Sequence, residues 1–327
     1  SYLALNDHRI QGTIPYMGGD LLLAQVFLEN NLITGPLPPS LGNLTILAEI
    51  DASYNKMSGS IPEEYSELRN IQIFFVSNNQ LTGNLEGVFN SSTQRFLTDV
   101  DVSHNSFGGD LPTSVFYIAS LRSFAASANC FQGTLPKDIC TAKNLSALIL
   151  DGLSTAPACR VEIFPNVPYL NAFTLQHSLT GSIPDCLFTL PHLRSLHLNG
   201  NELTGTLPSH LNVSSSLLDI ALSHNFLEGT IPVALQTRPF HELDLSYNRL
   251  RGVLSKDFAS IAEDSSLSLQ VNRLSGHIPE SFKNARNISV LDGNMYFCDF
   301  QRSSVPDHDP DSEIYVCGSN SVNRSIY

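Results

Sequence analysis

The residues best suited to chemistry are histidines that recur close to aspartates, namely His104, His197, His224 and His241 with Asp101, Asp219 and Asp244. Paired His and Asp side chains can support acid–base or nucleophilic catalysis, but only in a pocket that excludes water. The sequence contains no Gly-x-Ser-x-Gly, Walker or His-Glu-x-x-His motif. We therefore predict that the chain is not an enzyme and has no cofactor.

Two other groups of side chains could bind metal. Carboxylates alternate between Asp307 and Glu313, a pattern that Ca²⁺ could use. However, the glycine of an EF-hand loop is absent and Pro310 interrupts the run, which favours a solvated loop. Cysteines cluster between Cys130 and Cys186, but no Cys-x-x-Cys pair is present, which disfavours zinc. We predict no metal site.

The composition narrows the class of partner. The chain has 327 residues, of which 42% are apolar, and 31 acidic against 18 basic residues give a net charge of −13. An acidic chain is unsuited to nucleic acid or to anionic membrane surfaces. No apolar run approaches the ~18 residues that a spanning helix needs.

An internal repeat organises these residues. The string Gly-x-Ile/Leu-Pro recurs along the chain, and two weaker copies lack the proline. The glycines of successive copies are 23 to 26 residues apart, except for one gap of 48 residues. The gap indicates a degenerate repeat near Pro157, and the repeat after it, from Leu170 to Gly181, is one residue short. We count about twelve repeats, with full copies at 12–15, 35–38, 59–62, 109–112, 133–136, 181–184, 205–208, 229–232 and 276–279.

Each repeat combines a short strand with a recurring asparagine. Leu196 and Leu198 alternate as in a strand, which is stable only when it stacks on its neighbours in a parallel sheet. An asparagine amide both donates and accepts, so stacked asparagines can bond the backbone of the turns. The recurring residues are Asn31, Asn55, Asn79, Asn105, Asn129, Asn201, Asn225, Asn248 and Asn272.

The Leu-x-x-Leu-x-Leu-x-x-Asn-x-Leu-Thr-Gly-x-Ile-Pro pattern resembles the extracellular leucine-rich repeats of plants and protists. It is similar to receptor-like kinase ectodomains and to polygalacturonase-inhibiting proteins. The resemblance implies an α/β-type repeat solenoid, mostly β and coil, wound as a right-handed superhelix with a parallel β-sheet on its concave face. It also implies that partners bind through the concave face.

The two ends of the chain differ. Residues 1–286 are predicted to form the solenoid, and residues 287–327 a capping region, which by resemblance to plant repeats contains a Cys298–Cys317 disulfide. The strand pattern already begins at Ser1 to Leu5, without the cysteine-bearing cap of plant ectodomains. We expect an upstream segment, further copies of the chain or a neighbouring chain to cover this end.

The other four cysteines allow three pairings. Bonded Cα atoms lie within ~6.8 Å, whereas residues two repeats apart should be separated by ~9.6 Å. This argument favours Cys159–Cys186 together with Cys130–Cys140.

Sequons indicate a secreted or cell-surface glycoprotein. Six Asn-x-Ser/Thr sites lack a central proline, and an even number of cysteines also suits the secretory pathway. We expect most of the first four to be glycosylated; the sites are Asn43, Asn90, Asn144, Asn212, Asn287 and Asn323.

The repeat register predicts which side chains lie on the concave face. Phe27, Phe75 and Tyr247 are candidate anchors for a protein, peptide or glycan partner. The alternatives are a merely solvated face, or a structural glycoprotein subunit of a cell-surface or cell-wall assembly. The remaining candidate binding residues are Glu49, Asp51, Asp99, Asp101, His104, His197, Asp219, His224, Glu242 and Asp244.

Overall fold

The computed structural model describes residues 1–17, 22–162, 173–175, 179–210, 212–298 and 301–318. The chain divides into two compact units, 1–180 and 181–327. Each unit repeats the same arrangement, in which a short strand, an asparagine turn and a second short strand lead into a proline-initiated segment.

The main sheet of the first unit contains one strand from each successive repeat. All pairings between neighbouring strands are parallel. The middle residue of each strand points into the core, as Val26 and Ile50 do with no exposed surface. In order, the strands are Tyr2–Ala4, Gln25–Phe27, Glu49–Asp51, Ile73–Phe75, Asp99–Asp101, Ser123–Ala125 and Ala147–Ile149.

The main sheet of the second unit follows the same rule, again with only parallel neighbours. Its last strand belongs to the capping region predicted from the sequence. The strands are Ser195–His197, Asp219–Ala221, Glu242–Asp244, Ser266–Ser268 and Asn287–Ser289.

A second ladder of parallel strands follows the asparagine turns. In the first unit its strands are Gln11–Gly12, Leu32–Gly35, Lys56–Gly59, Gln80–Gly83, Ser106–Gly109 and Cys130–Phe131. In the second unit they are Glu228–Gly229, Arg249–Val253, Arg273–His277 and Met295–Phe297.

Helices are short and mostly begin after the proline of the Ile/Leu-Pro string. Proline fixes φ near −65°, and Pro38, Pro62 and Pro136 have extended backbone immediately before a helix. The 3₁₀ helices are Pro39–Asn43, Glu63–Glu67, Ser114–Tyr117, Lys137–Thr141, Pro157–Cys159, Asp185–Phe188 and Glu280–Phe282. An α-helix spans Val233–Gln236.

Two glycines lie at close approaches between neighbouring repeats. Gly35, a glycine of the repeat pattern, has φ of +77°, and a Cβ there would lie 2.7 Å from Thr13 Cγ2. Gly42, outside the pattern, lies where two helices approach, and its Cβ would be 2.6 Å from the carbonyl oxygen of Glu64. A larger residue would be strained by the left-handed backbone at Gly35 and would press against the backbone of the next repeat at Gly42.

The asparagine ladder forms as predicted. The Asn129 side chain, with no exposed surface, donates to the carbonyls of Val102, Ala126 and Ser127 at 3.1, 2.9 and 3.3 Å. Its Oδ1 accepts the Phe107 amide at 3.0 Å. One side chain therefore connects backbone groups of neighbouring rungs.

The predicted eighth repeat does not add a regular rung. Strand Phe173–Leu175 pairs antiparallel with Arg160–Glu162. Strand Leu179–Thr180 pairs directly with Gly133–Thr134 of the sixth repeat. The seventh repeat lacks the ladder asparagine and glycine, so its chain does not form the usual turn between the two ladders.

Both preferred pairings among the central cysteines are wrong, because Cys130 bonds Cys159 with a Cα–Cα distance of 5.5 Å. The reason is local. Hydrogen bonds from Phe131 to Leu153 and from Ala156 to the Asn129 carbonyl fold the seventh repeat back against the sixth. Cys140 was predicted to pair with Cys130, and Cys186 with Cys159. Both Cys140 and Cys186 are nevertheless disulfide-bonded.

The capping region closes around a buried aspartate rather than a solvated loop. Asp309, only 3% exposed, accepts the amides of Val290 and Leu291 at 2.7 and 3.2 Å and that of Asp311 at 3.0 Å. The predicted Cys298–Cys317 disulfide is present. No helix in the described part of the chain is long and apolar enough to cross a membrane.

Candidate functional site

The predicted binding residues lie mainly on one face of the main sheets. Because side chains alternate along a strand, the first and third residues of each three-residue strand project away from the core. In most strands they are partly exposed and the second residue is buried, as in Glu49–Asp51 and Glu242–Asp244. We call this surface the strand face of each unit.

The strand face holds ten of the predicted residues. Phe27 and Phe75, expected as exposed aromatic anchors, are only partly exposed, which reduces the area that they offer to a partner. The predicted residues at first or third strand positions are Phe27, Glu49, Asp51, Phe75, Asp99, Asp101, His197, Asp219, Glu242 and Asp244.

Three of these carboxylates stabilise the turn that follows their strand. The Oδ1 atoms of Asp51, Asp101 and Asp244 accept the amides of Ser53, Ser103 and Ser246 at 3.0, 2.9 and 3.0 Å. This local bond is an Asx turn, whose aspartate shapes the backbone two residues ahead. One oxygen of each carboxylate therefore stabilises a turn, a role that was not predicted from the sequence.

The remaining predicted residues, His104, His224 and Tyr247, precede a ladder asparagine and have φ between 52° and 55°. This left-handed backbone turns their side chains outward, and all three are exposed. Tyr54 occupies the same position, with φ of 55° and 57% exposure, and the sequence reading missed it. Its place directly before Asn55 was the available signal.

In the second unit, two of these turn residues meet. The rings of His224 and Tyr247 stack 4.1 Å apart, with 10° between their planes. On the neighbouring strand face, Asp219 Oδ1 lies 3.0 Å from His241 Nδ1, and Asp219 Oδ2 accepts the Ser195 hydroxyl at 2.9 Å. The second unit thus presents a flat aromatic pair at its turns and, at the start of its strands, a carboxylate held by two hydrogen bonds.

This arrangement does not resemble a catalytic triad. A nucleophilic serine needs a base within hydrogen-bond reach of its hydroxyl, with a third group orienting the base. Here the carboxylate of Asp219 lies between Ser195 and His241, so the serine donates to the carboxylate. Among the described residues, no three His, Cys, Asp or Glu side chains are placed to hold a metal ion.

The first unit instead carries an acidic cluster on its strand face. Gln25 donates to Glu49 at 2.8 Å, whereas the buried Oε2 of Glu29 accepts no hydrogen bond. Burial raises the pKa of the Glu29 carboxyl, and the negative charges of Asp51, Asp7 and Glu49 raise it further, against the opposing effect of a backbone hydrogen bond. The ionised form of Glu29 is therefore less favourable in the folded chain than in water.

The sequons are placed where a glycan could attach, although their modification stays a prediction. Asn43, Asn144, Asn212 and Asn287 are exposed. Asn90 is partly buried, and its Oδ1 accepts the Ser92 amide at 3.0 Å. Asn323 lies outside the described residues.

The chain is similar to known leucine-rich repeat proteins. The Leucine Rich Repeat family model matches residues 192–213 and 240–261. The structure is similar to the plant peptide hormone receptor RGFR1 in complex with RGF2, with 28% identity, a TM-score of 0.70, and coverage of 90% of this chain and 43% of that one. It is also similar to a TDR receptor, with 30% identity, a TM-score of 0.71, and coverage of 90% and 48%.

A further similarity is to the ectodomain of the membrane receptor kinase GASSHO1/SCHENGEN3 from Arabidopsis thaliana, in complex with CASPARIAN STRIP INTEGRITY FACTOR 2. The identity is 26%, the TM-score 0.73, and the coverage 90% of this chain and 36% of that one. This chain therefore spans less than half of each of these three structures. No curated protein matches the chain in sequence. The predicted leucine-rich repeat solenoid is confirmed.

Proposed function

We propose that this leucine-rich repeat protein, similar to plant receptor kinase ectodomains, is a non-catalytic extracellular module that binds a peptide or protein partner through the strand face of its second unit. The observation that carries the proposal is the stacked pair His224 and Tyr247, exposed at the edge of that face. Rigid aromatic side chains lose little conformational entropy on binding and are common anchors of protein interfaces.

The strands that lead to the pair carry carboxylates, which favours a ligand that combines an apolar or planar group with a positive charge. Glu242 and Asp244 lie on one strand of the face, and Asp219 lies on the strand beside it. Of these, Asp244 is engaged in its own turn and Asp219 is bonded to His241 and Ser195. Glu242 is therefore the carboxylate that we expect to meet a basic ligand group.

The similar structures support this class of partner. RGFR1 is in complex with RGF2, and the GASSHO1/SCHENGEN3 ectodomain is in complex with CASPARIAN STRIP INTEGRITY FACTOR 2. Their identities of 28% and 26% do not identify the ligand of this chain. They favour peptide recognition over the glycan binding that the sequence also suggested.

An extracellular location is supported by independent features. All six cysteines are disulfide-bonded, a state that persists in oxidising compartments. The exposed sequons are compatible with passage through the secretory pathway, and the similar structures include the ectodomain of a membrane receptor kinase.

A peptide selection tests the proposal. Peptides selected from a displayed random library on the glycosylated protein should bind with about tenfold lower affinity to the double variant His224→Ala, Tyr247→Ala, because loss of an anchor costs about 1–2 kcal/mol. The control variant is Tyr16→Ala, which removes an exposed tyrosine of the first unit. Equal affinity of the double variant and the wild type would reject the stacked pair, and with it the proposed binding surface at the edge of the strand face.

The alternative, a structural subunit of a surface assembly, predicts a different result in solution. Light scattering on the glycosylated protein should show a monomer if the chain is a recognition module. A stable filament or higher oligomer would favour the structural role.

A further inference from the structure

The second ladder of the second unit carries an unusual concentration of positive charge. Arg249 and Arg251 are exposed on one strand, and Arg273 is exposed on the next. We call these three residues the arginine strip. They stand out because the whole chain has only 18 basic residues and a net charge of −13.

Two residues of the arginine strip have no neutralising partner among the described residues. Arg251 and Arg273 are cross-strand neighbours in register, a placement in which like charges destabilise a sheet. Within the part of the chain that the structure describes, neither has an ion pair or a side-chain hydrogen bond. Glu228 is paired in register with Arg249, but the Arg249 guanidinium stacks over the Phe226 ring, 4.4 Å from its centroid.

Exposed apolar side chains follow the arginine strip. Residues two apart on a regular strand project to the same side at a spacing of about 6.7 Å, as Arg249 and Arg251 do. Val253 follows on the same strand after Gly252, whose φ is +93°, and it is 67% exposed. On the last strand of this ladder, Phe297 is 55% exposed. Along the strand, two positive groups are therefore followed by an exposed apolar group.

Val253 also lines a cleft, which gives this face a defined boundary. The cleft has a volume of about 850 Å³ and lies between the proline-initiated segments of the last repeats and the beginning of the capping loop. Lys256 and His277 line it together with the carboxylates of Asp257 and Glu280, so its charge is mixed. The arginine strip is therefore the part of the surface that selects for negative charge.

We propose that this face docks an extended acidic segment of a protein partner, separate from the strand face. The guanidinium groups of Arg251 and Arg273 would each bind a carboxylate, because arginine matches the planar geometry of a carboxylate with two parallel donors. In an extended peptide, side chains on one side repeat at the spacing of Arg249 and Arg251. The exposed Val253 and Phe297 favour a peptide with apolar side chains over a purely anionic polymer.

The test uses a fluorescein-labelled peptide whose first, third and fifth residues are Glu, Glu and Val. The fluorescence anisotropy of the peptide is measured as the intact glycosylated protein is added. Binding should weaken with rising salt and fall about tenfold when Gln replaces Glu in the peptide. The double variant Arg251→Ala, Arg273→Ala should lose about tenfold in affinity. The control variant Lys143→Ala, which removes an exposed charge of the first unit, should bind like the wild type.

Several results would overturn the proposal. In the first, the Glu peptide does not bind the wild type. In the second, the peptide binds the double variant as tightly as the wild type, and thermal unfolding shows that the variant is folded. A heparin oligosaccharide that binds through the strip when the peptide does not would instead identify a sulfated glycan. Sedimentation showing a wild-type dimer that Arg251→Glu dissociates would identify a second copy of the chain. None of these measurements involves the strand face. Failure of this proposal is therefore distinguishable from failure of the proposed function.

Discussion

The capping region bonds its buried backbone partly by means that the regular repeats do not use. In the regular repeats an asparagine serves the rung, as Asn129 does by donating to carbonyls of its own and the preceding repeat. Asn294 continues this pattern at the start of the capping region, which adds two further side chains, Asp309 and Tyr315. Asp309 accepts backbone amides of the last rung, and the Tyr315 hydroxyl accepts the Tyr296 amide at 2.6 Å.

The difference follows from what each region has to bond. A rung inside the ladder has a neighbour on both sides, so an amide side chain that both donates and accepts suits it. The last rung is not followed by a regular repeat, so its buried amides need an acceptor from elsewhere. A buried carboxylate is a strong acceptor of backbone amides, and here a loop about 20 residues downstream supplies it.

The largest effect should come from removing a ladder asparagine. Asn129→Ala deletes three donated bonds and leaves the buried Phe107 amide without its acceptor. An unpaired buried polar group costs about 1–3 kcal/mol, so we expect a loss of about 4 kcal/mol for the whole network. Urea unfolding monitored by circular dichroism measures it.

The matched control is Gln80→Ala, which removes an exposed amide that directly follows the ladder residue Asn79. It should change stability by less than about 0.5 kcal/mol. Similar losses in the two variants would show that the ladder asparagine contributes no more than an exposed amide.

The capping aspartate should rank second. Asp309→Ala leaves the amides of Val290 and Leu291 without acceptors, and we expect a loss of about 3 kcal/mol. Because these two amides lose their own acceptor, their hydrogen exchange should accelerate more than exchange in the first unit.

The control Asp307→Ala removes an exposed carboxylate of the same loop and should be nearly neutral. If Asp309→Ala were equally neutral, water would satisfy the last rung and the loop would not act as a cap.

This contrast explains what the sequence could predict. The ladder asparagines, the strand positions and the turn glycines recur every 23 to 26 residues, so their spacing alone predicts their roles. Asp309 belongs to no repeat, and the acidic sequence around it predicts a solvated loop. Only the three-dimensional path of the chain shows that Asp309 is buried. The cysteine pairing failed for the same reason, because the seventh repeat departs from the periodic geometry on which the estimate depended.

The candidate site was predicted to a similar extent. Register arguments placed Glu49 and Glu242 on the strand face correctly. They could not show that Asp51 and Asp244 hold turns, nor that His224 and Tyr247 stack, because both facts depend on side-chain orientation.

A second carboxylate, Glu29, provides the counterpart to Asp309. Asp309 accepts backbone amides, whereas the buried Oε2 of Glu29 accepts no hydrogen bond and has acidic neighbours. Because burial raises the pKa of Glu29 in the folded state, its ionised form destabilises the fold at neutral pH. Glu29→Gln should therefore raise the melting temperature at pH 7. The increase should be small, because Glu29 is only partly buried and solvent screens its neighbours.

The pH dependence distinguishes this cause from a change in packing. The cost of ionised Glu29 is fully present above its raised pKa, and it vanishes once the pH falls below the ordinary value of 4.5, where the folded and unfolded chains are both protonated. The advantage of Glu29→Gln should therefore disappear in acid, and the exposed control Glu86→Gln should show no advantage at either pH. An advantage that persists at low pH would mean that the glutamine amide gains contacts of its own. In that case the acidic cluster would impose no electrostatic cost on the first unit.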